Sequence, residues 1–457
     1  MAMTLDDFTS HDSVSDRLSE AGHPPSVARR LARRFGHAAE PIEDRATSRE
    51  AVGFFVPGRI EVLGKHSDYA GGSSLTCATS RGFCMVAAPD PSNILTLVNA
   101  DTGDVARIDL DAPVPASTSH WSTYPRTVVR RMANDLRTIM PSASLVGGTV
   151  AFSSTLPQAA GMSSSSAMVV AFFMAFLAMS RGTDRSAYER YLSSRSALAA
   201  YLAAMESGRA FGPFSAEKGV GTEGGSEDHT AILCAAPDVL RRFSYDPVRL
   251  LETVPLSDRW RFVVGVSGVA AEKAGSAQAA YNSASRLATE ATRRWNDQTG
   301  CTARHLGAVM REEGFSMARF RAVMRAASDD PEPLIQRAEH FYVENQVVLP
   351  AAMEALGKQD WTTFGELVEQ SQVAAATLLG NQVPETNHLA ESAQRLGAIA
   401  ASSFGAGFGG AVWALVPKND VDVFKPAWRN AYAARFPRRD ESAYFFVERP
   451  GPAAFQL

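Results

Sequence analysis

The stretch LPQAAGMSSSSA, Leu156–Ala167, lies between a short apolar run at Gly148–Thr155 and a longer one at Ala167–Met179. The first run reads as a strand and the second as a buried helix, so the glycine and the four serines fall on the turn that joins them. Small residues there let backbone N–H groups converge on an anion, and the hydroxyls add ligands for phosphate or a divalent cation. A helix N-terminus placed against the turn stabilises negative charge without a lysine in the motif. This is the pattern of a phosphate-binding loop. A serine-rich turn that only caps a core helix explains the stretch equally well in isolation, so the surrounding sequence has to decide.

The chain has 457 residues, long for one core, and is expected to form two domains. Hydrophobic residues at 45%, charged residues at 21% and six tryptophans describe a globular protein rather than a disordered one. A formal charge of −4 offers no electrostatic footprint for nucleic acid or an anionic membrane, so any anion site must be local. Cys77, Cys84, Cys234 and Cys301 form no C-x-x-C pair, which leaves no zinc or disulfide pattern and fits a reducing cytoplasm. The N-terminal MAMTLDDFTSHDSV is acidic where a secretory signal is basic. Ala167–Met179 falls short of the roughly 20 residues that span a bilayer.

Upstream of the loop, Ser15–Phe35 has helical spacing, with Arg29, Arg30, Arg33 and Arg34 on its solvated side. A short strand at Val52–Val56 leads into PGRIEVLGKHSDYAGG, Pro57–Gly72, with a second strand at Ile60–Leu63. Arg59, Glu61, Lys65, His66, Asp68 and Tyr69 crowd this segment, unusual for a plain hairpin, although a charged strand edge is the simpler reading. Alternating segments follow as antiparallel strands, and His120–Met140 reads as a helix that carries Trp121 and Tyr124.

Downstream, Asp184–Met205 reads as an amphipathic helix ending near Glu206. A glycine-laden passage then holds Glu223, Glu227, Asp228 and His229, whose carboxylates are costly to order unless something binds them. The strand RFVVGVSGV at Arg261–Val269 opens a second domain, helices run from Ala277 to about Gly380, and another helix spans Asn387–Gly397. In SSFGAGFGGAVWALVP, Gly405, Gly407, Gly409 and Gly410 precede a strand at Ala411–Val416. No helix follows these glycines and no G-x-x-x-x-G-K-[ST] occurs, which disfavours the Rossmann and ordinary P-loop readings.

Taken together, the three stretches resemble the small-molecule kinase superfamily of galactokinase, homoserine kinase, mevalonate kinase and phosphomevalonate kinase, with galactokinase the most similar branch. Pro57–Gly72 is similar to PGRVNLIGEHTDYNGG, Pro157–Ala167 to PxGAGLSSSAA, and GAGFGG stands unbroken at Gly405–Gly410. Tyr281-Asn282 resembles the family's YNxRR, and Trp121 with Tyr124 its W-x-x-Y. The resemblance runs from about Val52 to Val416 and implies an α+β fold. Its N-terminal domain would be like domain 2 of ribosomal protein S5, its C-terminal domain ferredoxin-like, with the active site in the cleft between. The expected division is residues 1–50 as a helical extension, 51–255 as the N-terminal kinase domain and 256–457 as the C-terminal one.

The same resemblance implies an ATP- and Mg²⁺-dependent kinase that phosphorylates a hydroxyl, the anomeric one, of a monosaccharide or sugar acid. Asp228, aligned with the aspartate of GIMDQ, is implied as base or orienting group, and Arg59 as its partner. Gly161, Met162, Ser163, Ser164, Ser165 and Ser166 are implied to hold the nucleotide with Trp121. Ser164 and Glu206 are implied as Mg²⁺ ligands. Lys65, His66, Asp68, Gly225, Tyr281, Gly407 and Gly409 are implied to contact the acceptor.

Several positions depart from the family pattern. Lys65 replaces the glutamate of GEHTDY, Glu61 an asparagine, Ala159 a loop glycine, His229 a glutamine, and Ala284-Ser285 a pair of arginines. Lys65 suits an acceptor carboxylate such as that of a uronic acid, or else pairs internally with Glu61. Extra residues around Gly212–Gly221 form a candidate lid. A kinase of a non-sugar alcohol and a catalytically silent nucleotide or sugar sensor are the rival readings.

Overall fold

Alternate residues along single strands feed two different hydrophobic cores. In the computed structural model, which describes every residue except 1–2, 46–48, 114–120, 141–143, 181–189 and 272–274, the first sheet starts with β1 (Met3–Thr4), β2 (Glu50–Leu63) and β3 (Ser73–Pro89). It continues with β4 (Ile94–Asn99), β5 (Val105–Asp109) and β6 (Gly148–Ser154), in the order β1-β2-β3-β6-β4-β5. A hairpin of β7 (Val239–Tyr245) and β8 (Val248–Pro255) pairs with the other end of β3. On β3, Phe83, Met85 and Ala87 face the core built on helix Ser164–Met179, whereas Cys84, Val86 and Ala88 face the one built on helix Pro25–Glu43. Burial on both faces makes the strand read as a continuous apolar run rather than an alternating one.

The second sheet contains β9 (Trp260–Val266), β10 (Ala400–Phe404), β11 (Ala411–Pro417) and β12 (Tyr444–Glu448), all antiparallel, in the order β10-β11-β9-β12. Helices lie between β9 and β10 and between β11 and β12, so the chain order is strand, helices, strand, strand, helix, strand. This is the ferredoxin-like arrangement. Helices Pro384–Arg395 and Val421–Arg435 share its core through Leu389, Trp428 and Tyr432. Strand β13 (Phe455–Gln456) returns to the first sheet and pairs with β2.

A separate helical core is built from the chain between β9 and β10. Trp295, Phe320, Met324, Ile335 and Phe341 form it, and Ala70 of the 3-10 turn Asp68–Ala70 inserts among them. The charged segment after β2 is thereby clasped by helices more than two hundred residues away.

Some expected elements change on folding. The helix expected at Ser15–Phe35 is two, His11–Glu20 and Pro25–Glu43, because Pro24 and Pro25 lack the N–H groups needed to continue the first while Pro25 suits a helix start. Arg29 and Arg33 are exposed as expected, whereas Arg34 bonds Asp101 at 3.0 Å. The two strands expected around Gly58 are the single β2, and the helix expected from His120 is Thr123–Ile139, with His120 outside the described residues. The helix expected at Asp184–Met205 is Arg195–Ser207, where the Ser194 hydroxyl accepts from Ala197 N at 3.1 Å; residues 181–189 lie outside the described ones. Within the glycine-rich passage the chain is irregular up to Ser226, but Glu227–Cys234 is a helix.

Candidate active site

The serine loop is held in a strained conformation. Ala159 and Ser163 both have left-handed backbones, φ +50° and +58°, in a loop whose Gly161 is also at +73°. Such conformations in residues with side chains persist only where the surroundings enforce them, and they gather at binding sites. Helix Ser164–Met179 starts inside the serines, earlier than the apolar run alone indicates, so its free N–H groups face the loop. Gly405, at φ +80°, packs so closely on this loop that a Cβ there would lie 2.6 Å from Gly161 O.

Two clefts meet at this junction. The larger, about 790 Å³, is lined by Gly161 to Ser165 together with Trp121, Tyr124 and Asn99. The smaller, with about 40 Å³ of space, is lined by Glu61, His66, Asp68, Glu206, Gly225, Glu227, Asp228 and Tyr281. Arg59 and Ala406 line both. Of the serines, Ser166 faces the smaller cleft, where its hydroxyl donates to Asp228 Oδ2 at 3.3 Å.

Arg59 joins the two spaces. Its Nε donates to Asp228 Oδ1 at 2.9 Å, its Nη2 lies 2.8 Å from the same oxygen, and its Nη1 donates to Gly161 O. Burial alone lowers the guanidinium pKa, but Asp228, Glu61 and Glu227 outweigh it and hold the group above its usual value. A buried arginine with this fork geometry fixes the carboxylate in orientation as well as in charge.

His66 is oriented from both ring nitrogens. Nε2 donates to Ala406 O at 3.0 Å, so Nδ1 accepts from the Tyr69 hydroxyl at 2.8 Å. Arg337 donates to the Tyr69 hydroxyl at 3.3 Å and to His66 O, fixing the loop from below. Asp68 accepts from Tyr69 N at 2.8 Å and from Glu227 N at 3.2 Å. Gly225 is required there, since a Cβ would lie 2.5 Å from Asp68 Oδ2.

Three expected placements differ. Lys65 lines neither cleft: its ammonium donates to Ser371 Oγ at 2.8 Å in the interior, 1% exposed, and forms no ion pair with Glu61 among the described residues. Gly407 and Gly409 also line neither, because they pack on Asn381 and Val269; Gly405 and Ala406 form the wall instead. Glu206 meets His229, whose Nε2 lies 3.0 Å from Glu206 Oε2, in place of the family's glutamine.

Four supporting residues had no sequence signal. Glu344 accepts from Gly64 N at 2.6 Å and Lys65 N at 3.1 Å, and Asn345 accepts from Ser73 N at 2.6 Å. Both sit on a π-helical turn, Val343–Val348, a distortion often found beside functional sites. Arg337 and Ser371 are the others. Nothing local marks any of them, since their partners lie about three hundred residues away.

Family models match this chain in three places: the GHMP kinases N terminal domain at residues 124–210, the GHMP kinases C terminal model at 352–434, and the galactokinase galactose-binding signature at 44–89. By these matches the chain is similar to the GHMP kinases, on their galactokinase side. Galactokinase from Roseiflexus sp. (strain RS-1) is 28% identical over 381 residues, covering 82% of this chain and 86% of that one. Galactokinase from Lactiplantibacillus plantarum is 28% identical over 383 residues, covering 81% and 87%. In fold, the chain is similar to Lactococcus lactis galactokinase complexed with galactose, with TM-score 0.72, 23% identity and coverage of 92% and 98%. Streptococcus pneumoniae phosphomevalonate kinase, in complex with phosphomevalonate and AMPPNP, matches with TM-score 0.53, 15% identity and coverage of 89% and 99%. The galactokinase signature spans Arg59, Glu61, Lys65, His66 and Asp68, so two of the departures from the family pattern, Glu61 and Lys65, fall inside it. Among the described residues, no helix of this chain is long and apolar enough to cross a membrane.

Proposed function

We propose that the protein is an ATP-dependent kinase that transfers the γ-phosphate to a hydroxyl, the anomeric one, of a monosaccharide. The observation that carries this is the single arginine shared by two clefts: Arg59 binds the serine loop through Gly161 and the acceptor side through Asp228. Donor phosphate and acceptor hydroxyl would meet across it. The larger cleft would take the nucleotide, with the loop N–H groups on the phosphates and Trp121 beside the base or ribose. Asp228 would orient the attacking hydroxyl and accept its proton. In a loose phosphoryl-transfer transition state little deprotonation is needed in advance, so holding the nucleophile in line is the larger contribution. Arg59 would also offset charge as it shifts between phosphate and acceptor.

Glu206, lining the smaller cleft, and Ser164, lining the larger, each offer oxygen, which suits Mg²⁺, a cation that takes its remaining ligands from phosphate and water. Bound there, Mg²⁺ would neutralise phosphate charge. Asp68 and Tyr281 would hold sugar hydroxyls and His66, committed at both ring nitrogens, would shape the wall beside them, while Lys65, turned to Ser371, supplies no cation to an acceptor carboxylate. This favours a neutral sugar over a sugar acid. The division at 255/256, between β8 and β9, and a cytoplasmic setting without nucleic-acid partners complete the reading; the four cysteines are free.

The test is ADP release from Mg-ATP with neutral aldoses, uronic acids, amino sugars and non-sugar alcohols, with the product position read by phosphorus NMR. Turnover of an aldose at its anomeric hydroxyl is expected. Turnover confined to a non-sugar alcohol, or nucleotide binding with no turnover at all, would overturn the sugar kinase reading.

A further inference from the structure

We propose that Glu61 and Glu227 form an acid pair that selects the acceptor through a hydrogen-bond donor, hydroxyl or ammonium, directed at Glu61 Oε1, and so excludes uronates. The proposal rests on the kinase reading above and names the acceptor chemistry of that same cleft.

Both side chains line the smaller cleft and are almost fully buried, at 3% and 4% exposure. Among the described residues, Glu61 Oε1 has no hydrogen-bond partner. A buried oxygen left in that state is costly unless a ligand or water meets it. The pair is fixed from several sides: Trp413 Nε1 donates to Glu61 O at 3.1 Å, Glu227 N donates to Asp68 Oδ2, and Arg59 Nε lies 3.8 Å from Glu227 Oε1. The free oxygen therefore belongs to a held group rather than a wandering one. At the matching positions, the family patterns quoted above carry an asparagine and a methionine.

Burial pushes both carboxyls up from their ordinary value, and Glu227 further, because Glu61 and Asp68 face it. Arg59 and the hydrogen bond from Glu227 oppose the shift at Glu61. Glu227 is thus the more readily protonated of the two, and Glu61 the one that gives up its proton first. A carboxylate whose second oxygen is unsatisfied accepts from O–H or N–H and repels another carboxylate. The cations nearby do not change this. Among the described residues, Arg59 is the one lysine or arginine lining the smaller cleft, and it is committed to Asp228 and Gly161; Lys65 is committed to Ser371.

The test uses the full chain with Mg-ATP on matched sugars: an aldose, its 2-amino analogue and its uronic acid. Wild type is expected to turn over the aldose or the amino sugar and to leave the uronate untouched. Glu61→Asn is expected to raise KM for the preferred sugar by roughly tenfold to a hundredfold, the loss of a charge-assisted hydrogen bond, with a smaller change in kcat and no change in ATP affinity. Preference for the amino sugar would identify ammonium as the donor, and preference for the aldose hydroxyl. Uronate turnover by wild type, or a KM within twofold of wild type in Glu61→Asn, overturns the proposal. If the variant does not fold, the wild-type panel decides by itself. If no sugar is phosphorylated, the kinase reading fails, and calorimetric titration of the same three sugars then judges the subsite: binding of aldose or amino sugar upholds it, whereas uronate binding or none overturns it.

Discussion

Arg59 and Asp228, 169 residues apart, meet through two nitrogens on one oxygen, at 2.9 and 2.8 Å. The contact brings a strand of the first sheet to the start of helix Glu227–Cys234, and it leaves Asp228 Oδ2 to Ser166 and the cleft. Asp228→Asn keeps the shape and removes the proton acceptor. The expected result is a fall in kcat of roughly a hundredfold to ten-thousandfold with ATP affinity nearly intact, read by steady-state kinetics and nucleotide titration. Full activity would sink the assignment.

Lys65 separates a structural role from a specificity role. In the interior beside Ser371 and Glu344, a glutamate would set one buried carboxylate near another, so Lys65→Glu should lower stability by about 3 kcal/mol or more. Lys65→Met, which keeps the stem without the charge, should cost less and leave the acceptor profile as it was. Denaturant unfolding with the sugar panel checks both, and a stable Lys65→Glu with a new acceptor would reverse this view.

The acid pair makes stability depend on pH. Glu227 has a carboxyl pKa well above the 4.5 of an unfolded glutamate, so its contribution is full below 4.5 and is lost as pH rises through the folded value. Glu227→Gln does not titrate. Its melting temperature relative to wild type should climb as pH rises above 5, and a flat difference would show that the proton is not held there.

Gly405→Ala should separate the loops. Its backbone is at φ +80° and the added Cβ would lie 2.6 Å from Gly161 O, so the serine loop must shift. A cost of about 1–3 kcal/mol is expected, with weaker nucleotide binding, measurable by thermal melting and titration. An unchanged ATP affinity would show that this packing does not shape the phosphate site.

The parts of this molecule that were readable in sequence are those with local chemistry. The serine loop, Arg59 before its charged turn and the glycines at 405–410 each need particular residues at fixed spacing, and that spacing survives in the chain. The ferredoxin-like half followed from the same resemblance. Lys65 was misread because its type was visible and its direction was not; Ser371, 306 residues away, sets that direction. Glu227 looked like loop because glycines precede it, yet its burial with Glu61 and Arg59 depends on the helix that starts there. The break at Pro24-Pro25, by contrast, was available in the chain, since two residues without N–H groups cannot sit inside a continuous helix.

The pairing of β2 with β3 shifts register between Pro57 and Arg59 and again between Glu61 and Leu63. Arg59 and Glu61 therefore occupy a short panel bounded by an irregularity on each side, where ladder errors are absorbed rather than passed along the sheet. A lineage can exchange the residue at 61 and so try a new acceptor while the neighbouring Arg59 keeps its grip on the chemistry.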